Sequence, residues 1–175
     1  MANPKGNSER SAFAAGRVAI LSIGLCNCSA LRKATRRVSQ LYDDALAAYG
    51  IKVTQRSILE HIANAGAPSV SELADAMAMD RSAMTRNLRP LEREGWVKAL
   101  INPSDRRSRY ISLTTAGQAK LVETFDAWKT AQAGFEHAFG QKAAADLRAA
   151  LGRVASDEFV QAYQSHVTPE RTAHR

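Results

Sequence analysis

The chain has 175 residues, 45% of them apolar, and a formal net charge of +7. That length bounds it to one domain or two small ones, and the apolar share is ordinary for a globular core. The basic balance, with a pI near 9.8, points to a polyanionic partner, nucleic acid ahead of an anionic membrane surface. No apolar run is long enough to span a bilayer. The run 18–25 is short for an export leader and Leu25 is a poor cleavage site. A cytoplasmic protein carrying two free thiols, Cys26 and Cys28, is therefore expected.

Residues 1–16 are small and polar, and residues 1–24 read as a flexible N-terminal segment. From Cys28 to Ala48 the pattern is helical: Leu31, Ala34, Val38, Leu41 and Ala45 recur at spacings of three and four, and Gly50 ends the run. Thr54 is the expected N-cap of a second helix with an inner stripe of Ile58, Leu59, Ile62 and Ala63, stopping at Gly66. Ser71 is the expected cap of a short third helix bearing Leu73, Ala74 and Met77. Asp80 caps a fourth that runs to Gly95, with a bend expected near Arg86 and Asn87 because Pro90 removes a hydrogen bond.

A strand-like run from Trp96 to Ile101 and another from Tyr110 to Thr114 enclose Asn102-Pro103-Ser104-Asp105-Arg106-Arg107-Ser108-Arg109. A Pro/Ser/Asp cluster between two such runs is a hairpin signal, and its arginine-rich tip is costly without an anion nearby. Thr114 or Thr115 then opens one long helix through Phe139. Gly140 interrupts it, and a last alanine-rich helix carries Leu147, Leu151, Val154 and Phe159.

Four helices, a hairpin and two helices make a mainly α fold with a small β-hairpin wing, a winged helix-turn-helix core flanked by N- and C-terminal dimerisation helices. The expected divisions are a dimerisation helix at 25–50, the DNA-binding domain at 51–113, C-terminal dimerisation helices at 114–165 and a flexible tail at 166–175. Such a core sets one helix in a major groove with the hairpin beside it on the phosphates or in the minor groove. The flanking helices are too apolar to stand alone in solvent. Pairing them with a second copy would also place two reading helices about one turn of DNA apart.

On the fourth helix, Met84, Leu88 and Leu91 share the core side. Thr85 and Arg86 are the candidate base readers, since arginine bonds guanine in two places at once. Arg81, Ser82 and Arg89 are candidate phosphate contacts. Arg106, Arg107 and Arg109 are the candidate wing contacts, with Asp105 positioned to hold Arg107 across the turn.

In this order, Val53-Thr54-Gln55, Val70-Ser71-Glu72-Leu73-Ala74, Asp80-Arg81-Ser82-Ala83-Met84-Thr85-Arg86, Leu91-Glu92-Arg93-Glu94-Gly95-Trp96-Val97, Asp105-Arg106-Arg107 and Leu113-Thr114-Thr115-Ala116-Gly117 resemble the MarR family of bacterial winged-helix regulators. Asp105 and Arg107 fit the family's Asp-x-Arg wing signature. The resemblance spans residues 28–160 and implies an obligate homodimer on pseudo-palindromic promoter DNA. It also implies a repressor that a small molecule or an oxidant releases.

For the signal, the resemblance offers two routes. The first is an aromatic or lipophilic carboxylate, or its thioester, in a cleft lined by Leu31, Thr35, Arg56, His61 and Trp128, with an arginine pairing the acid. The second is oxidation: Cys28 resembles the reactive cysteine of the family's hydroperoxide sensors, and Tyr42 stands where those carry a tyrosine that holds the thiolate. A helix N-terminus and Arg32 would both favour a reactive thiolate at Cys28, whereas Val53 stands where another tyrosine is expected. Metal sensing has little support, because His61, His137, His166 and His174 show no ligand spacing. A nonspecific or architectural DNA-binding dimer remains an alternative. No phosphate-binding glycine loop or nucleophile elbow is present, so no enzyme, catalytic residue or cofactor is expected.

Overall fold

A computed structural model of the chain describes residues 25–101 and 109–167. It divides into two compact units, Met1–Leu41 and Tyr42–Arg175. Helix α1 (Asn27–Leu46) begins in the first unit, and within that unit its residues up to Arg37 are exposed. A 3-10 turn, Ala47–Tyr49, follows it, and Gly50 leaves that turn at a φ of 65°, a left-handed conformation that glycine adopts freely.

The second unit holds helices α2 (Val53–Ala65), α3 (Val70–Ala76) and α4 (Arg81–Arg93), then strands β1 (Val97–Ile101) and β2 (Arg109–Leu113). Four more helices follow: α5 (Thr115–Glu123), α6 (Phe125–Phe139), α7 (Gln141–Val154) and α8 (Asp157–Val167). The core is built from α2 to α4 and the strands. Ile58, Leu59 and Ile62 of α2 pack with Leu73 and Ala74 of α3, Met84, Leu88 and Leu91 of α4, and Val97 and Ile111 of the hairpin. Each helix therefore buries one stripe at the expected helical spacing. Ala63 departs from its stripe and is exposed.

Helix starts differ from expectation in an instructive way. The second helix begins two residues early, at Val53 with Lys52 as its N-cap, so Thr54 lies inside it. Its first amides are met instead by Gln55, whose Oε1 accepts from the Lys52 N–H at 2.8 Å, and by Asp43, whose Oδ1 accepts from the Val53 N–H at 2.7 Å. The third helix is capped by Ser69 rather than Ser71. Ser69 Oγ accepts from the Glu72 N–H at 3.2 Å, and Glu72 Oε2 accepts from the Ser69 N–H at 2.7 Å, a reciprocal capping box. Those bonds to Ser69 hold the Glu72 carboxyl below its ordinary pKa. Asp80 caps α4 as expected, accepting from the Ala83 N–H at 2.7 Å.

Between α3 and α4 the chain turns on Ala78, whose φ is 49°. The Met79 N–H bonds Ala74 O at 2.9 Å and the Ala78 N–H bonds Asp75 O at 3.0 Å, so α3 closes in a Schellman motif with alanine where glycine is usual. Helix α4 continues unbroken through Pro90, which falls in its last turn and so removes one bond near an end.

The strands pair antiparallel in the register Val97↔Leu113 to Ile101↔Arg109. Trp96 and Thr114 stay outside the ladder, at the base of the hairpin. There the Thr114 hydroxyl bonds Gly95 O at 2.6 Å and also accepts from the Gly117 N–H at 3.0 Å, tying the wing to α5. Ser69 forms an isolated bridge with Tyr110, and the Ile111 N–H bonds Pro68 O at 2.8 Å, which extends the hairpin edge toward α3.

The two long C-terminal helices expected from the sequence are four. The first divides at Thr124, which is fully buried and whose hydroxyl and amide both bond Lys120 O, at 2.7 and 3.1 Å. The second divides at Ala155 and Ser156, where Ser156 Oγ accepts from the Phe159 N–H at 3.3 Å and starts a new helix. Gly140 separates α6 from α7 at a φ of 91°.

Candidate nucleic-acid interface and effector recess

On α4 the core stripe of Met84, Leu88 and Leu91 leaves Arg81, Ser82, Thr85, Arg86 and Arg89 exposed on the other faces. Helical geometry makes this one surface, because positions three and four apart are neighbours. No acidic side chain pairs with Arg81, Arg86 or Arg89 among the described residues. Three unneutralised guanidinium groups thus share the exposed side of a short helix whose opposite side is locked in the core. Thr85 is set differently: its hydroxyl donates to Arg81 O at 2.8 Å. Asn87 is half-buried and donates from Nδ2 to Ala83 O at 3.0 Å.

Arg109 is exposed at the start of β2, opposite Ile101. Arg106, Arg107 and Asp105 lie outside the described residues.

The expected effector residues fall into separate places. Arg56 and Trp128 come together, with the guanidinium carbon 4.8 Å from the centre of the indole ring. Arg56 is only 2% exposed, an unusual state for arginine. Its Nη1 pairs with Glu60 Oε1 at 3.0 Å, while its buried Nε–H has no acceptor among the described residues. It borders a recess of about 480 Å³ formed with Glu60, Leu121, Val122, Phe125 and Asp126. Phe125 was not singled out from sequence; its ring lies 6.1 Å from that of Trp128. His61 is elsewhere, in a recess of about 530 Å³ with Pro68, Glu72, Leu73 and Tyr110, its Nδ1 2.8 Å from Ser57 O. Leu31 and Thr35 belong to the first unit and are exposed on α1.

Cys26 and Cys28 are both free and exposed, and the Ser29 N–H donates to Cys26 Sγ at 3.5 Å. The Tyr42 hydroxyl donates to Gln132 Oε1 at 2.7 Å, Gln132 bonds Glu136, and Arg148 pairs with Glu136 at 3.1 Å. Burial and the nearby Glu136 charge push the Tyr42 pKa up. No group of three or more possible metal ligands occurs among the described residues, nor any helix long and apolar enough to cross a membrane.

Residues 51–108 match the model of the MarR family. The transcriptional regulator PecS of Dickeya dadantii is 32% identical over 125 residues, covering 67% of this chain and 75% of PecS. The structure is similar to that of the Mycobacterium tuberculosis transcriptional regulator MosR in complex with DNA. The two share 34% identity at a TM-score of 0.65, over 74% of this chain and 96% of MosR. A cysteine-to-serine mutant of Escherichia coli MarR, complexed with operator DNA, shares the fold at a TM-score of 0.67 and 24% identity, over 79% of this chain and 96% of that one.

Proposed function

Because the chain belongs to the MarR family of DNA-binding transcriptional regulators, we propose that it is a homodimeric repressor of pseudo-palindromic promoter DNA, released by a small organic effector. The observation that carries the DNA half of this reading is the exposed face of α4, where Arg81, Arg86 and Arg89 stand beside Ser82 and Thr85 without acid partners among the described residues. Charge of one sign collected on a rigid helix is what the phosphate backbone neutralises. A helix anchored by Met84, Leu88 and Leu91 presents Arg86 to base edges with little freedom to lose.

The dimer is supported by what α6 to α8 leave uncovered. Phe139, Phe159, Val160, Tyr163 and Val167 are each between 44% and 59% exposed. An apolar surface of that kind is typical of an interaction site. A second copy seated there would bring two α4 helices to successive turns of DNA.

The effector reading rests on Arg56. A buried arginine whose Nε–H is unmatched among the described residues offers a charge-assisted bond to a ligand oxygen, and Phe125, Val122 and Leu121 offer apolar cover. The acid or thioester oxygen of an aromatic or lipophilic ligand fits that donor. Such a ligand lowers DNA affinity only by as much as it prefers the conformation that cannot span both half-sites. Oxidation at the exposed Cys28 is the second reading.

Fluorescence anisotropy on DNA from upstream of the protein's own gene tests the proposal. Arg86→Ala is expected to weaken binding to that DNA by roughly 10- to 100-fold while changing random DNA by less than about threefold. Equal losses on both would remove base reading from Arg86. Release of the DNA by an aromatic carboxylate, lost in Arg56→Gln, supports the recess. Release by organic hydroperoxide, lost in Cys28→Ser, favours the thiol instead.

A further inference from the structure

We infer that Thr85 reads a thymine in each half-site through its methyl group, not its hydroxyl. The inference rests on the DNA-reading role proposed for α4 and goes on to name what one of its positions selects. Thr85 is exposed on the surface that carries Arg81, Arg86 and Arg89, outside the buried Met84 and Leu88 stripe. Its hydroxyl is already used: it donates its one proton to the carbonyl of Arg81, 2.8 Å away and one helical turn earlier. A threonine on a helix takes this rotamer readily, because the preceding turn offers that carbonyl.

Two consequences follow from the tetrahedral Cβ. With Oγ1 turned back onto the helix, the remaining heavy atom on Cβ is the Cγ2 methyl, so the side chain meets DNA as an apolar surface. With its proton committed, the hydroxyl also cannot donate to a base. The major-groove edge of guanine presents two acceptors, N7 and O6, and therefore finds no partner in Thr85. Thymine presents a C5 methyl that the Thr85 methyl can cover. Arg86, the adjacent residue on the same surface and without an acid partner among the described residues, has the opposite chemistry and suits guanine. The two neighbours thus sort bases by different physical means: apolar contact at one, paired hydrogen bonds at the other.

The contact separates cleanly from other effects because the thymine methyl can be deleted from the DNA alone. The full chain is first used to select duplexes from a random-sequence pool, and thymines of the selected site are then replaced one at a time by deoxyuridine. One thymine per half-site is expected to lose about fourfold in affinity on that replacement, the worth of one buried methyl group. Thr85→Val, which keeps the methyl and lacks the hydroxyl, is expected to retain that sensitivity. Thr85→Ser, which keeps the hydroxyl and lacks the methyl, is expected to bind the thymine duplex about fourfold more weakly and to ignore deoxyuridine. Circular dichroism melts confirm that both variants fold.

A Thr85→Val that binds as weakly as Thr85→Ser, or a deoxyuridine penalty that survives in Thr85→Ser, overturns the inference. A selected site in which no thymine is sensitive overturns it while leaving the regulator reading intact. A pool that yields no preferred sequence overturns both.

Discussion

The helix-turn-helix with its hairpin and the three C-terminal helices are built from similar amounts of apolar sequence, yet they use it in opposite ways. In the first region Ile58, Leu59, Ile62, Leu73, Met84, Leu88, Leu91, Val97 and Ile111 are each no more than 3% exposed. In α6 to α8, Ala144 alone among the described residues is buried, and Phe159 and Tyr163 stack on each other with ring centres 6.4 Å apart while both remain open to solvent. The first region satisfies its hydrophobic surface internally. The second leaves its own uncovered among the described residues, and the proposed homodimer would cover it.

The sharpest way to break this contrast is to truncate one residue on each side of it. Ile62→Ala removes a fully buried side chain and is expected to cost about 2–5 kcal/mol in a denaturant melt. Tyr163→Ala, at a side chain 59% exposed, is expected to change the melt of the dilute monomer by under about 0.5 kcal/mol and to weaken self-association in sedimentation. Similar unfolding costs for both would mean that α8 packs within its own chain.

A second substitution probes where the two regions join. A Cβ on Gly117 would collide with the backbone carbonyl of Trp96, which cannot swing aside as a side chain would. Gly117→Ala is expected to cost about 1–3 kcal/mol by forcing the hairpin base and α5 apart. No change in melting would mean that this junction is looser than the Thr114 bonds imply. The smallest expected effect runs the other way. Ala78 holds a left-handed turn with a Cβ, so Ala78→Gly is expected to stabilise the DNA-binding region by about 1 kcal/mol or less, a small rise in melting temperature. A drop would place the entropy of glycine above the strain it relieves.

Much of the first region was legible in the sequence. The core stripes of α2 to α4, the Asp80 cap and the pairing of the two strands all follow from local spacing and turn chemistry. The errors came where a distant or competing partner decides the outcome. Asp43, ten positions upstream, caps the Val53 amide, so Thr54 is drawn into the helix. Ser69 outcompetes Ser71 because Glu72 lies three residues after it and can return the hydrogen bond. The break at Ser156 depends on a hydroxyl bonding nearby backbone, which apolar periodicity does not register, and the one at Thr124 interrupts a stretch whose apolar spacing runs on with no Gly or Pro at the break. The candidate reading face on α4 was visible because exposure follows from the core stripe. The Arg56 recess was only half visible: pairing with Trp128 needs tertiary contact, and Phe125 and Glu60 carried no motif.

The central claim is that α4 reads sequence and does more than hold phosphates. The measurement that tests it most directly is the ratio of affinities of the wild-type chain for its own upstream DNA and for random DNA, at physiological salt and across a salt series. The account predicts a ratio of roughly a thousandfold or more that persists as salt weakens both complexes. A ratio near one, with a steep salt slope on both DNAs, would contradict it and leave a basic dimer that binds DNA by charge alone.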